Sequence, residues 1–143
     1  MLRVTADTNI IISALNFPGN PSRILDMVAA GEIHIAISDD ILTEVERVLQ
    51  RPKFGWTQRE TNDAIGELSA FGDPVVPKQR IDVVKDDPTD NSIIECAVAS
   101  GSDYLVTGDK HLLKIGQYQG VKIVTPAEFM EIVTHQGRGP HKR

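Results

Sequence analysis

The sequence predicts an α/β protein with a three-layer α/β/α sandwich, in which helices cover both faces of a parallel sheet. Short segments rich in Val and Ile alternate along the chain with longer segments whose apolar residues recur at helical spacing. Strands that are apolar on both faces are typical of parallel sheets, because helices bury both sides. The chain has 143 residues, of which 41% are hydrophobic, so one domain with a sizeable core is expected.

The predicted strands are short, apolar and bounded by polar residues, Gly or Pro. An irregular stretch is expected where Gly72, Pro74 and Pro77 follow one another closely. The predicted strands are Leu2–Ala6, Ile33–Ile37, Ile81–Val84, Tyr104–Thr107 and Val121–Val124.

Helices are predicted between the strands from apolar periodicity and from capping residues. Ser38 precedes an apolar stripe of helical period, which is typical of an N-cap. Thr57 with Glu60, and Thr125 with Glu128, have the spacing of capping boxes. The predicted helices are 8–15, 22–30, 39–50, 58–71, 90–100, 110–113 and 126–134, with a loop at 16–21 and a turn at 86–89.

The net charge is −5, from 15 basic and 20 acidic residues. Single-domain nucleic-acid binders are more often basic, so this balance counts against such a role. The objection weakens if several acids share one metal site, because bound cations cancel their charge. The remaining Lys and Arg could still form a local phosphate-binding surface.

Cysteine usage and apolar runs indicate a cytoplasmic protein. Cys96 is the single cysteine, which excludes an internal disulfide and favours a reducing compartment. Its apolar helical surroundings predict a buried structural thiol. No signal peptide is expected, and no apolar run approaches the roughly 20 residues that a membrane span needs.

Four acidic residues are predicted to meet at one edge of the sheet. Asp7 ends the first strand, Asp109 follows the strand that ends at Thr107, and Asp90 begins a helix that follows a strand. Glu44 lies in the second turn of another such helix. Sites in open parallel sheets form at the carboxyl ends of strands. Each acid alone is explained by a turn, a cap or a solvated helix face, but their joint placement favours a functional site.

Helical periodicity alone does not separate Glu44 from Glu46. Glu44 borders one side of the apolar stripe and Glu46 borders the other side. Glu44 is nearer the start of the helix, and therefore nearer the strand ends, which favours it as the site residue.

Carboxylates gathered at one edge repel each other and resist joint ionisation unless a cation binds them. An all-oxygen ligand set favours a hard ion such as Mg²⁺ or Mn²⁺. The sequence has no Cys-x-x-Cys or His-x-x-x-His pattern, so a zinc site is not expected. A divalent ion can activate water and offset the charge of a phosphate, which indicates phosphodiester hydrolysis.

The segments that carry these acids resemble the PIN-domain nucleases, and the resemblance covers about residues 2–133. It is closest to the subgroup of toxins of toxin–antitoxin pairs. Each segment is weakly specific alone, but their order and spacing together are specific. The segments are Ala6–Asn9, Ser38–Glu44, Asp86–Asn91 and Thr107–Lys110.

The resemblance implies a five-stranded parallel sheet of order 3-2-1-4-5 and a Mg²⁺- or Mn²⁺-dependent endoribonuclease. It also implies a single-stranded RNA substrate, a small cognate antitoxin protein and frequent homodimers. The implied catalytic residues are Asp7, Glu44, Asp90 and Asp109, of which the three aspartates bind the metal, with Asn9 and Thr107 in support.

One position departs from the family pattern. Many relatives have an acid two residues after the last motif aspartate, whereas this chain has His111. This difference disfavours a second tightly bound metal. Lys110 is either a phosphate contact or a solvated lysine.

Two further expectations concern domain organisation and competing functions. Residues 1–135 are expected to form the nuclease domain, and 136–143 a disordered basic tail.

One competing hypothesis is a weakly catalytic or non-catalytic module that binds an antitoxin or RNA. Another is a phospho-acceptor receiver domain, which is disfavoured because the first strand ends in the single acid Asp7.

Overall fold

The structure is a computed structural model that describes residues 1–84 and 88–137, and within them a central, mostly parallel sheet is packed between helices. Its strands, in chain order, are β1 Arg3–Ala6, β2 His34–Ser38, β3 Asp73–Val75, β4 Tyr104–Val106, β5 Gln117–Tyr118 and β6 Val121–Val124. Their spatial order is β3-β2-β1-β4-β6-β5. The first five strands in this order run parallel, and β5 pairs antiparallel with β6.

The predicted helices are present, with shifts of a few residues at their ends. Both predicted capping boxes form: the Thr57 and Glu60 backbone N–H groups donate to each other's side chains at 2.8 and 3.0 Å, and Thr125 and Glu128 do the same. The helices are α1 Thr8–Asn16, α2 Asn20–Ala29, α3 Asp39–Leu49, α4 Gln58–Phe71, α5 Pro88–Ser100, α6 Lys110–Ile115 and α7 Pro126–Gly137, with a 3-10 turn at Pro52–Phe54.

The predicted α/β/α class and the order of the parallel strands are confirmed, but the strand count is corrected from five to six. The parallel strands β3-β2-β1-β4-β6 have the implied 3-2-1-4-5 order. The additional strand, β5, spans only Gln117–Tyr118 at the sheet edge. A two-residue strand carries too little alternation for a sequence pattern to reveal it.

The strand predicted at Ile81–Val84 is wrong. Side chains of α5, and not a neighbouring strand, satisfy the backbone of this segment. Its first N–H donates to Glu95 Oε2 at 2.8 Å, and its last two N–H groups donate to Asn91 Oδ1 at 3.0 and 2.9 Å. Asn91 Nδ2 donates back to the last carbonyl at 2.8 Å. The two side chains lie one helical turn apart, so α5 itself replaces the missing strand partner.

The third strand forms instead in the stretch that was expected to be irregular. Pro74 is tolerated in β3 because β3 lies at the edge of the sheet, where one side of the strand needs no partner. Gly72 is required for a close approach: a Cβ atom there would lie 2.5 Å from Ile37 Cγ1 and 2.9 Å from the Leu68 carbonyl oxygen. The Gly and Pro residues therefore mark the start of an edge strand.

The core lies between the sheet and its helices, and its centre is formed by fully buried side chains. Cys96 is among them, as predicted, and burial raises the pKa of its thiol. Of the turn predicted at 86–89, residues 86 and 87 lie outside the described residues, and the other two begin α5. Of the tail predicted at 136–143, the first two residues end α7 and the rest lies outside the described residues. Within the described ranges, no helix combines the length and apolarity that crossing a membrane requires. The largest buried side chains include Ile11, Ile24, Ile35, Leu49, Leu105, Leu112 and Phe129.

We expect alanine to have opposite effects at two glycines of this region. Gly72→Ala should lower the free energy of unfolding by about 1–3 kcal/mol, because the added methyl group overlaps Ile37. Gly66→Ala, in the middle of α4, meets no atom within 4 Å and should raise it by about 0.5–1 kcal/mol through helix propensity. Urea unfolding followed by circular dichroism measures both. A Gly72→Ala variant as stable as the wild type would contradict the packing argument.

Candidate metal centre

The first predicted site residue, Asp7, lies at the carboxyl end of β1. Its backbone N–H donates to the Val106 carbonyl at 2.9 Å, which extends the pairing of β1 with β4. Its carboxylate caps α1, because Oδ1 accepts from the Asn9 N–H at 3.2 Å. The other oxygen, Oδ2, accepts a 2.6 Å hydrogen bond from Thr107 Oγ1. Asp7 is only 3% exposed, so this buried carboxylate is held in one orientation.

Thr107 connects Asp7 with Asp109, the next predicted site residue. The Thr107 hydroxyl donates to Asp7 and accepts from the Asp109 N–H at 3.0 Å. Asp109 in turn caps α6, since its Oδ1 accepts from the N–H groups of His111 at 2.7 Å and Leu112 at 3.2 Å. One buried hydroxyl therefore ties together the ends of two adjacent parallel strands.

Asp90 reaches the same edge of the sheet from the first turn of α5 and is 4% exposed. One oxygen of Asp90, one oxygen of Asp109 and one imidazole nitrogen of His111 all lie within 4.8 Å of one another. A surface depression of about 570 Å³ opens beside them. It is lined by Asp7, Asn9, Ile10, Gly108, Asp109, Lys110 and His111.

These donors fit a divalent cation. Ligand atoms around an octahedral ion at about 2.0–2.2 Å lie roughly 3–4.4 Å apart, so a 4.8 Å cluster needs only small side-chain movements to close on one ion. The N-terminal ends of α1 and α5 carry partial positive charge, which favours the buried carboxylates of Asp7 and Asp90. The arrangement thus combines two buried carboxylates with more exposed donors that face the depression.

Glu44 takes up a different position from the three aspartates. It lies on α3, and its two carboxylate oxygens accept hydrogen bonds from Arg47 at 2.9 and 2.6 Å. The Arg47 hydrogen bond lowers the pKa of the Glu44 carboxyl, against the opposing effect of partial burial. Among the described residues, the three-residue cluster includes neither Glu44 nor Asp7, although Thr107 connects Asp7 with Asp109. The roles of Glu44 and Asp7 at the metal therefore stay predictions.

The two predicted supporting residues, Thr107 and Asn9, contribute different chemical groups. Thr107 acts through its hydroxyl and is fully buried. Asn9 acts on Asp7 through its backbone N–H, while its exposed side chain lines the depression. Lys110 is also exposed at the rim, and its contact with phosphate stays a prediction.

His111 is the site residue that sequence reasoning did not identify as a ligand. The sequence showed it only as a replacement for an acid, yet the structure places its imidazole against two carboxylates. The spacing between Asp109 and His111 was the available signal. An aspartate that caps a helix directly after a strand brings the side chain two residues later to the same edge of the sheet.

Comparison with known proteins agrees with this geometry. A search of curated proteins found no match. A crystal structure of VapBC2 from Rickettsia felis, bound to a DNA fragment from their promoter, has a chain that superimposes with a TM-score of 0.60 at 16% identity. The match covers 85% of this chain and 97% of that chain, and it shows a shared fold. The family model of the PIN domain matches residues 3–111, and the chain therefore belongs to the PIN domain family.

Proposed function

We propose that this protein is a Mg²⁺- or Mn²⁺-dependent endoribonuclease and the toxin of a toxin–antitoxin pair. The observation that carries the proposal is the cluster of Asp90, Asp109 and His111, whose donor atoms lie within 4.8 Å of one another beside a depression that Asp7 and Asp109 line. Membership of the PIN domain family supports the nuclease activity. The likeness to a chain of VapBC2 supports a cognate antitoxin as partner.

When bound, the divalent ion supplies a water of lowered pKa and offsets negative charge on the phosphate. Asp7, Asp90 and Asp109 hold it, directly or through water. Thr107 keeps Asp7 in the productive orientation through its 2.6 Å hydrogen bond. Glu44 completes the site by orienting the attacking water. It does so after releasing Arg47, whose side chain is 58% exposed, so the loss of this surface ion pair costs little.

The proposed substrate is single-stranded RNA, which the family resemblance implies. Lys110 stands at the rim of the depression and is the proposed phosphate contact. The remaining elements of the proposal, a homodimer acting in the cytoplasm, come from the family resemblance. A binding module without turnover is the competing function, and its specific support is that Arg47 engages both oxygens of the Glu44 carboxylate.

We expect Asp7→Asn and Asp90→Asn each to lower RNA hydrolysis about 100-fold or more, because each removes a charged metal ligand. The assay is cleavage of an unstructured RNA with Mn²⁺, with and without a chelator. Asp63→Asn is the matched control, since Asp63 is an exposed acid on α4, and it should leave the rate unchanged. Activity that survives both chelation and Asp7→Asn would reject the metal-dependent mechanism. Antitoxin binding without turnover in the wild type would establish the binding module.

The hydroxyl of Thr107 gives a second test. Thr107→Val keeps the shape but removes the donor to Asp7 and the acceptor for the Asp109 N–H. We expect about a 10–100-fold loss of metal affinity and of hydrolysis, as is usual when a partner of a metal ligand is lost. Thr107→Ser keeps the hydroxyl and should therefore retain most of the metal affinity and most of the hydrolysis rate. Equal losses in the Val and Ser variants would show that the hydroxyl does not position Asp7.

A third test separates the carboxylate of Glu44 from its ion pair. Glu44→Gln and Arg47→Gln both abolish the same surface pair. If Glu44 orients water, only Glu44→Gln should reduce hydrolysis, by roughly 10²-fold or more, while Arg47→Gln should retain the wild-type rate. Both rates are measured at saturating Mn²⁺. Similar rates in the two variants would exclude Glu44 from the reaction.

A further inference from the structure

We infer that His111 is a nitrogen ligand of the metal centre and makes it select a divalent transition ion, represented by Mn²⁺, over Mg²⁺. This inference rests on the metal site of the proposed function. It goes further because it assigns a ligand that the aspartate pattern does not contain, together with the chemical class of ion that this ligand favours.

The position of His111 is set by its neighbour. Asp109 Oδ1 accepts the His111 N–H at 2.7 Å and lies 3.7 Å from His111 Nδ1. The same cap therefore brings the backbone of His111, and with it the imidazole, beside Asp109. Asp90 approaches from α5, and the three donor atoms lie within 4.8 Å of one another.

The exposures of the three side chains suit capture of an ion from solvent. Asp90 is buried at the bottom of the cluster, whereas the side chains of Asp109 and His111 are 28% and 57% exposed. An exposed imidazole can rotate towards an ion without disturbing the core. The site therefore has one fixed ligand and two ligands that can close on the ion.

The donor chemistry decides the preference between ions. Mg²⁺ prefers oxygen ligands, demands near-ideal octahedral geometry and loses its water reluctantly. Imidazole nitrogen suits transition ions better, and affinity for nitrogen-containing sites rises along the first-row series. A carboxylate at position 111 would instead favour the harder ion.

The test measures metal binding directly on the full-length protein. Calorimetric titration with Mg²⁺ and with Mn²⁺ is carried out on the wild type, His111→Asp and His135→Asn, the last being an exposed histidine on α7. We expect the ratio of Mn²⁺ to Mg²⁺ affinity to fall at least about tenfold in His111→Asp. The ratio should stay unchanged in His135→Asn. Position 111 lies in the first turn of α6, and circular dichroism checks that each variant is folded.

A spectroscopic signature separates coordination from a general charge effect. Electron spin-echo measurements on bound Mn²⁺ should show coupling to ¹⁴N in the wild type and in His135→Asn, and none in His111→Asp. The inference is overturned if the wild type lacks this coupling, if its affinity ratio equals that of His111→Asp, or if it binds neither ion. Nitrogen coupling without RNA hydrolysis would reject the proposed function alone. Hydrolysis without nitrogen coupling would reject the role of His111 alone.

Discussion

The hydrogen bond between Thr107 and Asp7 is the contact on which the candidate centre depends. It exists because β1 and β4 pair in parallel with Ala6 opposite Val106, so the next residue on each strand comes into contact just beyond the sheet. A shift of this register by one residue would turn Asp7 or Thr107 to the other face. The fold therefore controls the site through strand register, and the buried core on both faces of the sheet controls that register.

Burying acids at this edge is unfavourable unless their charges are compensated. Asp7 and Asp90 are almost fully buried, and the backbone of α1, the start of α5 and the Thr107 hydroxyl contribute to this compensation. Elsewhere in the described core, buried residues are nearly all apolar or uncharged. A local departure of this kind is characteristic of a functional site, where stability is lost so that a charged ligand can be bound.

The parts of the fold that the sequence could predict are those decided by local chemistry. The capping boxes at Thr57 and Thr125 and the apolar stripe of α3 depend on residues within a few positions of each other. The choice between Ile81–Val84 and Asp73–Val75 as third strand depended on distant residues: Asn91 and Glu95 satisfy one segment, and β2 pairs with the other. Apolar content alone cannot show which partner a backbone will find.

The same distinction, between local chemistry and contacts with distant residues, separates the site residues. Asp7 and Asp109 follow from the rule that strand ends converge, whereas the same rule applied to Asp90 relies on a strand at Ile81–Val84 that does not form. The pairing of Glu44 with Arg47 and the approach of His111 depend on side-chain directions. These two residues matter most for how an acidic protein could handle RNA. With a net charge of −5, general attraction of phosphate is weak. Affinity for the proposed RNA substrate would then come from local charges, and an imidazole ligand at position 111 in place of a carboxylate would leave a bound cation with more positive charge to present to the phosphate.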